Sequence, residues 1–116
     1  MMWEVKFIPE AEKEFGDLDA GLMRQVLYGI AKVSQNPLPA TEGGYGKPLG
    51  NKNNANLTGF FKIKYKRIAI RVVYTLAREE SVMNIVVVNK RDEDECYTIA
   101  EQRKKKYGDK LFKDSF

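Results

Sequence analysis

Apolar and polar positions alternate from Trp3 to Ile8, with Trp3, Val5 and Phe7 set against Glu4 and Lys6. A period of two predicts a strand. Pro9 suits the first position of a helix, and Glu10 and Glu12 suit the positive end of its dipole. Ala11, Phe15 and Leu18 then fall on one face of a short helix. Asp19 is placed to cap a second, longer helix, along which Leu22, Met23, Val26, Leu27, Ile30 and Val33 form a stripe at helical spacing. Such a stripe reads as core rather than as a binding groove. Asn36-Pro37 ends it.

From Leu38 to Asn56 the chain is rich in Gly, Pro, Asn and Thr. It reads as one long loop, tacked to the core by Leu49 and Leu57. Its glycines lack the spacing of a phosphate-binding loop. Regular patterning returns at Gly59–Tyr74, where Lys62, Lys64 and Lys66 alternate with Phe61, Ile63 and Tyr65. Arg67 marks a turn, and Arg71 interrupts an otherwise apolar return strand. Burying that charge alone would be very costly, so Arg71 must face solvent, a partner or a ligand. Val82–Asn89, with its run IVVV, reads as a buried strand. Asp92 and Glu95 resemble a capping box for a final helix, one side of which carries Tyr97, Ala100, Arg103 and Tyr107. Leu111, Phe112 and Phe116 follow, either docked or free.

The predicted order is βααβββα. The last three strands, joined by short turns, form an antiparallel meander. The fold class is therefore α+β: an antiparallel sheet that also takes in the first strand, two N-terminal helices packed on one face, and a C-terminal helix. A chain of 116 residues suits a single domain, here 1–116.

Composition adds mainly exclusions. There is no histidine and only one cysteine, Cys96. A zinc site is therefore not expected, and acid–base chemistry would fall to Lys, Arg, Tyr, Asp or Glu. No run is long and apolar enough for a membrane span. The opening residues lack the pattern of a signal peptide, so the expected location is the cytoplasm.

Charge changes the picture more. Between Gly43 and Arg78 there are eight Lys and Arg residues and no Asp or Glu, in a chain whose net charge is only +4. A basic block on an otherwise acidic body fits a polyanion partner. The plainer alternative is a solvated lysine surface, but such surfaces usually mix signs.

Lys62, Lys64, Arg71, Arg91 and Tyr97 can converge on the sheet face away from the two N-terminal helices. Cations around one aromatic suit an RNA backbone with a base stacked on the ring. They also suit phosphoryl chemistry: a fixed guanidinium can stabilise charge on phosphorus oxygens, and clustered like charges favour the neutral form of a lysine, which can then act as a base.

These residues sit in a recognisable setting. W-x-V-x-F-x-PEA, a helix ending in NP, KPL-G, KIKYKR, RVVY and V-x-KRDEDECY, with Tyr97 six residues after Arg91, together resemble the RelE family within the RelE/ParE superfamily. Its members are toxins of bacterial type II toxin–antitoxin systems. The resemblance spans nearly the whole chain. It implies a metal-independent endoribonuclease, an mRNA interferase without a cofactor. It also implies that the 70S ribosome and mRNA are partners and that a cognate antitoxin is the inhibitor. Attack by a ribose 2′-hydroxyl would leave a 2′,3′-cyclic phosphate and a 5′-hydroxyl.

By the same resemblance, Lys62 and Lys64 match the basic pair that contacts RNA, with Lys64 as general base. Arg71 matches the arginine that stabilises the transition-state phosphate, Arg91 the general acid, and Tyr97 the ring that stacks on the base. Lys66 and Arg67 would bind ribosomal RNA. The chain departs from the family pattern in its long 38–56 stretch, in Asn89 where a small residue usually precedes the Lys-Arg pair, and in its tail after Tyr107. Two other functions remain open: a ParE-like poison of DNA gyrase, on the same fold, and a non-catalytic nucleic-acid-binding module. The set Lys62, Lys64, Arg91 and Tyr97 distinguishes the RelE branch from ParE.

Overall fold

A computed structural model of the chain describes residues 2–52, 55–90 and 92–116. The elements are β1 (Glu4–Phe7), α1 (Pro9–Gly16), α2 (Ala20–Ser34), a 3-10 turn (Ala40–Glu42), β2 (Lys47–Lys52), β3 (Ala55–Tyr65), β4 (Ile70–Ala77), β5 (Val82–Asn89), α3 (Glu93–Tyr107) and a second 3-10 turn (Gly108–Phe112). The strands make one sheet in the order β1-β5-β4-β3-β2. The meander β3-β4-β5 is antiparallel, as expected. β1 is the exception: it enters at the edge parallel to β5, so the sheet is mixed.

The expected long loop is only partly a loop. Its second half is β2, paired antiparallel with β3. Pro48 and Gly50 hid this strand from a reading by pattern. Both are tolerated because β2 is an edge strand, where a missing N–H costs no ladder bond. The register shifts between Pro48 and Gly50, and Gly50 takes a φ of 59° there. Leu49 and Leu57 are buried, as the sequence suggested.

α2 covers one face of the sheet. Asp19 caps it by accepting a hydrogen bond from the Leu22 N–H at 2.9 Å, and Val26, Ile30 and Val33 are buried while Leu22 is half-buried. Tyr65 locks the helix to β3 by donating its hydroxyl to the Val26 carbonyl at 2.7 Å. Gly29 allows this approach, because a Cβ there would stand 2.3 Å from the Tyr65 oxygen. Behind it Phe61 and Tyr74, cross-strand partners, stack with ring centroids 5.2 Å apart. α1 packs along β5, with Phe7 and Phe15 rings 5.3 Å apart.

α3 and the second 3-10 turn cover the opposite face. Thr75 donates to the Leu111 carbonyl, and the Asn84 amide bonds both that carbonyl and Lys113's, at 3.0 and 2.9 Å. Phe112 meets Phe60 edge-on at 5.8 Å and Phe116 meets Tyr107 at 5.3 Å, so the tail docks. Covering both faces explains why β4 and β5 are apolar almost throughout.

β1 pairs with β5 only as far as Ile85. Beyond it, Glu14 and Arg103 close the edge. Glu14 accepts the Val88 N–H at 3.1 Å, Arg103 donates to the Val86 carbonyl at 2.7 Å, and the two side chains pair at 2.8 and 2.9 Å. Backbone groups left open by a short edge strand are thus satisfied by side chains from two helices.

Candidate active site

Cross-strand register sets the basic face. Lys64 on β3 lies opposite Arg71 on β4, and Arg71 lies opposite Asn89 on β5, so the three share one row across the sheet. The neighbouring row begins with Lys47 on β2 and Lys62 on β3, then continues into Val73 and Val87. Partners in register point to the same side, away from α2, because Ile63 and Tyr65 occupy the other parity.

α3 lies across this face. Asp92 caps it by accepting the Glu95 N–H at 2.9 Å. The cap sets the phase, so Glu93 and Tyr97, four residues apart, point together toward the sheet. Glu93 reaches Lys62 at 3.3 Å. Burial alone would raise the Glu93 pKa, but the neighbouring Tyr97 hydroxyl and Lys62 and Lys64 ammonium groups outweigh it and hold the carboxyl below its ordinary range. Tyr97 is only 4% exposed, and its hydroxyl is buried beside Glu93 without reaching hydrogen-bond geometry. Burial first, then the Glu93 carboxylate, push the phenol pKa upward. Cys96 is buried, which lifts its thiol to about 12, with the Arg71 charge opposing.

Of the residues singled out from sequence, Lys62, Lys64, Arg71 and Tyr97 are brought together. Arg71 is half-buried and its charge acts on both Cys96 and Tyr97. Lys66 and Arg67 stand exposed in the turn between β3 and β4, at one end of the basic rows. Arg91 lies outside the described residues. The face lies on the side of the sheet away from α2, and α3 lies across it.

Sequence reasoning passed over two neighbours, Glu93 and Lys47. The capping residue Asp92 could have pointed to Glu93, since it fixes which helix positions share Tyr97's side. Lys47 could be placed only by β2, which no pattern announced. Among the described residues, no group of three or more acidic, cysteine or histidine side chains could hold a metal ion.

No family model matches the chain. It is 30% identical over 104 residues to a RelE-like toxin protein of Escherichia coli, covering 89% of this chain and 98% of that protein. Its fold matches an Escherichia coli RelE toxin variant in the free state, with a TM-score of 0.69, 24% identity, and coverage of 89% of this chain and 98% of the other. It also matches the RelBE2 toxin–antitoxin complex of Mycobacterium tuberculosis, with a TM-score of 0.62, 23% identity, and coverage of 78% and 93%. Taken with the basic face of the sheet and the helix laid across it, a likeness that runs almost from end to end places this chain in the RelE-like toxin family.

Proposed function

We propose that the protein is the toxin of a type II toxin–antitoxin system and cleaves mRNA held in the ribosomal decoding site. The observation that carries this reading is the row Lys64–Arg71 beside Lys62 and Lys47, which presents cations from three strands on one rigid sheet face. Such a face suits a phosphodiester whose charge grows during reaction.

In this reading Lys64 takes the proton from the 2′-hydroxyl. The 2′-oxygen attacks phosphorus, and the bond to the 5′-oxygen breaks, leaving a 2′,3′-cyclic phosphate. Arg91 returns a proton to the leaving 5′-oxygen. Arg71 stabilises charge on the non-bridging oxygens, and Lys62 holds the neighbouring backbone. Lys66 and Arg67, exposed beside the site, engage ribosomal RNA. Tyr97 stacks on a base only after the first turns of α3 move off the sheet, because its ring is closed in the present conformation. That movement breaks the Lys62–Glu93 pair.

The partner is an antitoxin, as in the RelBE2 complex named above. It inhibits by covering the basic face or by displacing α3, which carries part of the site.

The test compares a short message free in solution with the same message on programmed ribosomes. Cleavage on the ribosome with a 2′,3′-cyclic end supports the reading. An intact message, together with inhibition of DNA gyrase by the same preparation, would move the protein to the ParE-like branch.

A further inference from the structure

β2 begins at Lys47, opposite Lys62, while β3 runs on to Tyr65. Among the described residues, therefore, no strand lies beside Ile63–Tyr65 on that side. A cleft of about 270 Å³ opens at this free edge, between α2 and the approach to β2. Four lysines line it, Lys32 from α2, Lys47 from β2, and Lys62 and Lys64 from β3, with no carboxylate among the lining residues. Lys47 and Lys62 are direct cross-strand partners; Glu93 pairs with Lys62 at 3.3 Å from the α3 side but does not line the cleft.

An aromatic stands at the mouth. Tyr45 is 48% exposed, and the Lys32 ammonium lies 5.5 Å from its ring centroid. The loop that carries it is pinned. The Tyr45 N–H bonds the Asn36 carbonyl at 2.8 Å and the Gly46 N–H bonds the Leu38 carbonyl at 2.9 Å. Gly44 packs so tightly that a Cβ would meet the Leu38 oxygen at 2.1 Å. The exposed ring thus sits on a fixed backbone. It costs little ordering entropy when something stacks on it.

We propose that this cleft is a second single-stranded RNA subsite, in which Tyr45 stacks on a base and Lys32, Lys47 and Lys64 hold the adjoining phosphates. The proposal rests on the RNA-cleavage reading and extends it. Lys62 and Lys64 line both places, so a strand leaving the reacting phosphate along β3 enters the cleft directly. The subsite holds nucleotides flanking the one that is cut. An acidic extended peptide would also meet the lysines, and could pair with the free strand edge. It would leave the Tyr45 ring unused, and a stacking platform among cations is what single-stranded nucleic acid needs.

The test is fluorescence anisotropy of a labelled hexauridylate with 2′-O-methyl riboses, which cannot be cleaved, titrated with the full chain across salt concentrations. Tyr45→Ala should weaken binding about tenfold, as loss of one stacked base does, and Tyr45→Phe should bind like wild type. Lys32→Ala with Lys47→Ala should lower the log–log salt slope by roughly 0.7 per lysine. All three side chains are exposed, so thermal melts should confirm intact folds. Unchanged affinity in Tyr45→Ala and an unchanged slope in the lysine variant would overturn the subsite, even if the wild type cleaves ribosome-bound message. So would RNA binding unaffected by Tyr45→Ala alongside tighter binding of a labelled glutamate-rich peptide, which would make the edge a protein-docking site. Weakened RNA binding in Tyr45→Ala with no cleavage by the wild type would uphold the subsite and remove the cleavage reading.

Discussion

The carboxylate of Glu93, the first residue of α3, sits 3.3 Å from the ammonium of Lys62 on β3 and fastens a helix across the basic face of the sheet. Both side chains keep some solvent contact, 25% for Lys62 and 37% for Glu93. Such a pair contributes at most about 1 kcal/mol to folding. Its larger effect is on charge, because it sets an anion among cations that would otherwise all face a phosphate.

Glu93→Gln should therefore change binding more than stability. Removing the carboxylate leaves Lys62 available and raises the potential of the whole row. Affinity for single-stranded RNA should rise severalfold at low salt, with the gain shrinking as salt increases. Anisotropy titrations measure it. Equal affinity for the variant and the wild type would mean that the pair does not restrain the face.

Glu14→Ala should act in the opposite way, on stability. It strands the Val88 N–H and leaves Arg103, whose side chain is only 14% exposed, without its carboxylate. A loss of about 1–3 kcal/mol is expected from urea unfolding. Glu14→Gln keeps an acceptor near Val88 and should lose less. A change below about 0.5 kcal/mol for Glu14→Ala would show that the edge of β5 is not held in this way.

Much of this was legible in the sequence because local signals and tertiary demands agreed. Asp19 and Asp92 marked helix starts, the stripe through Val26, Ile30 and Val33 marked a buried face, and the alternation around Lys62 and Lys64 gave the meander and its charged side. β2 was not legible. Its stability comes from pairing with β3 and from the burial of Leu49, neither of which leaves a period in a stretch containing Pro48 and Gly50. The parallel entry of β1 was also hidden, since alternation shows that a strand forms but not which neighbour it takes. At the candidate site, the side on which Tyr97 lies could be read from its spacing. That the ring is covered could not, because it depends on how α3 docks.

Stability should fall on acidification in part through Glu10. Burial would raise its pKa, yet hydrogen bonds from Lys106 and Tyr107, at 2.8 and 2.6 Å, hold it at about 2 against an ordinary value of 4.5. The folded pKa lies below the unfolded one. The contribution is therefore present above 4.5 and is lost as pH falls toward 2. Melting curves of wild type and Glu10→Gln should differ above that window and converge at its acid end. A difference that persists at the acid end would rule out Glu10 as the titrating group.

The most direct test of the catalytic account is single-turnover cleavage of a short message on programmed ribosomes, with the protein saturating so that weaker binding is hidden. Wild type should convert the message to a product ending in a 2′,3′-cyclic phosphate. Arg71→Ala, folded by circular dichroism, should be slower by about 10²–10³, the usual cost of removing one preorganised donor to a developing oxyanion. A wild-type rate from Arg71→Ala would contradict the account and place the reacting phosphate elsewhere on the protein.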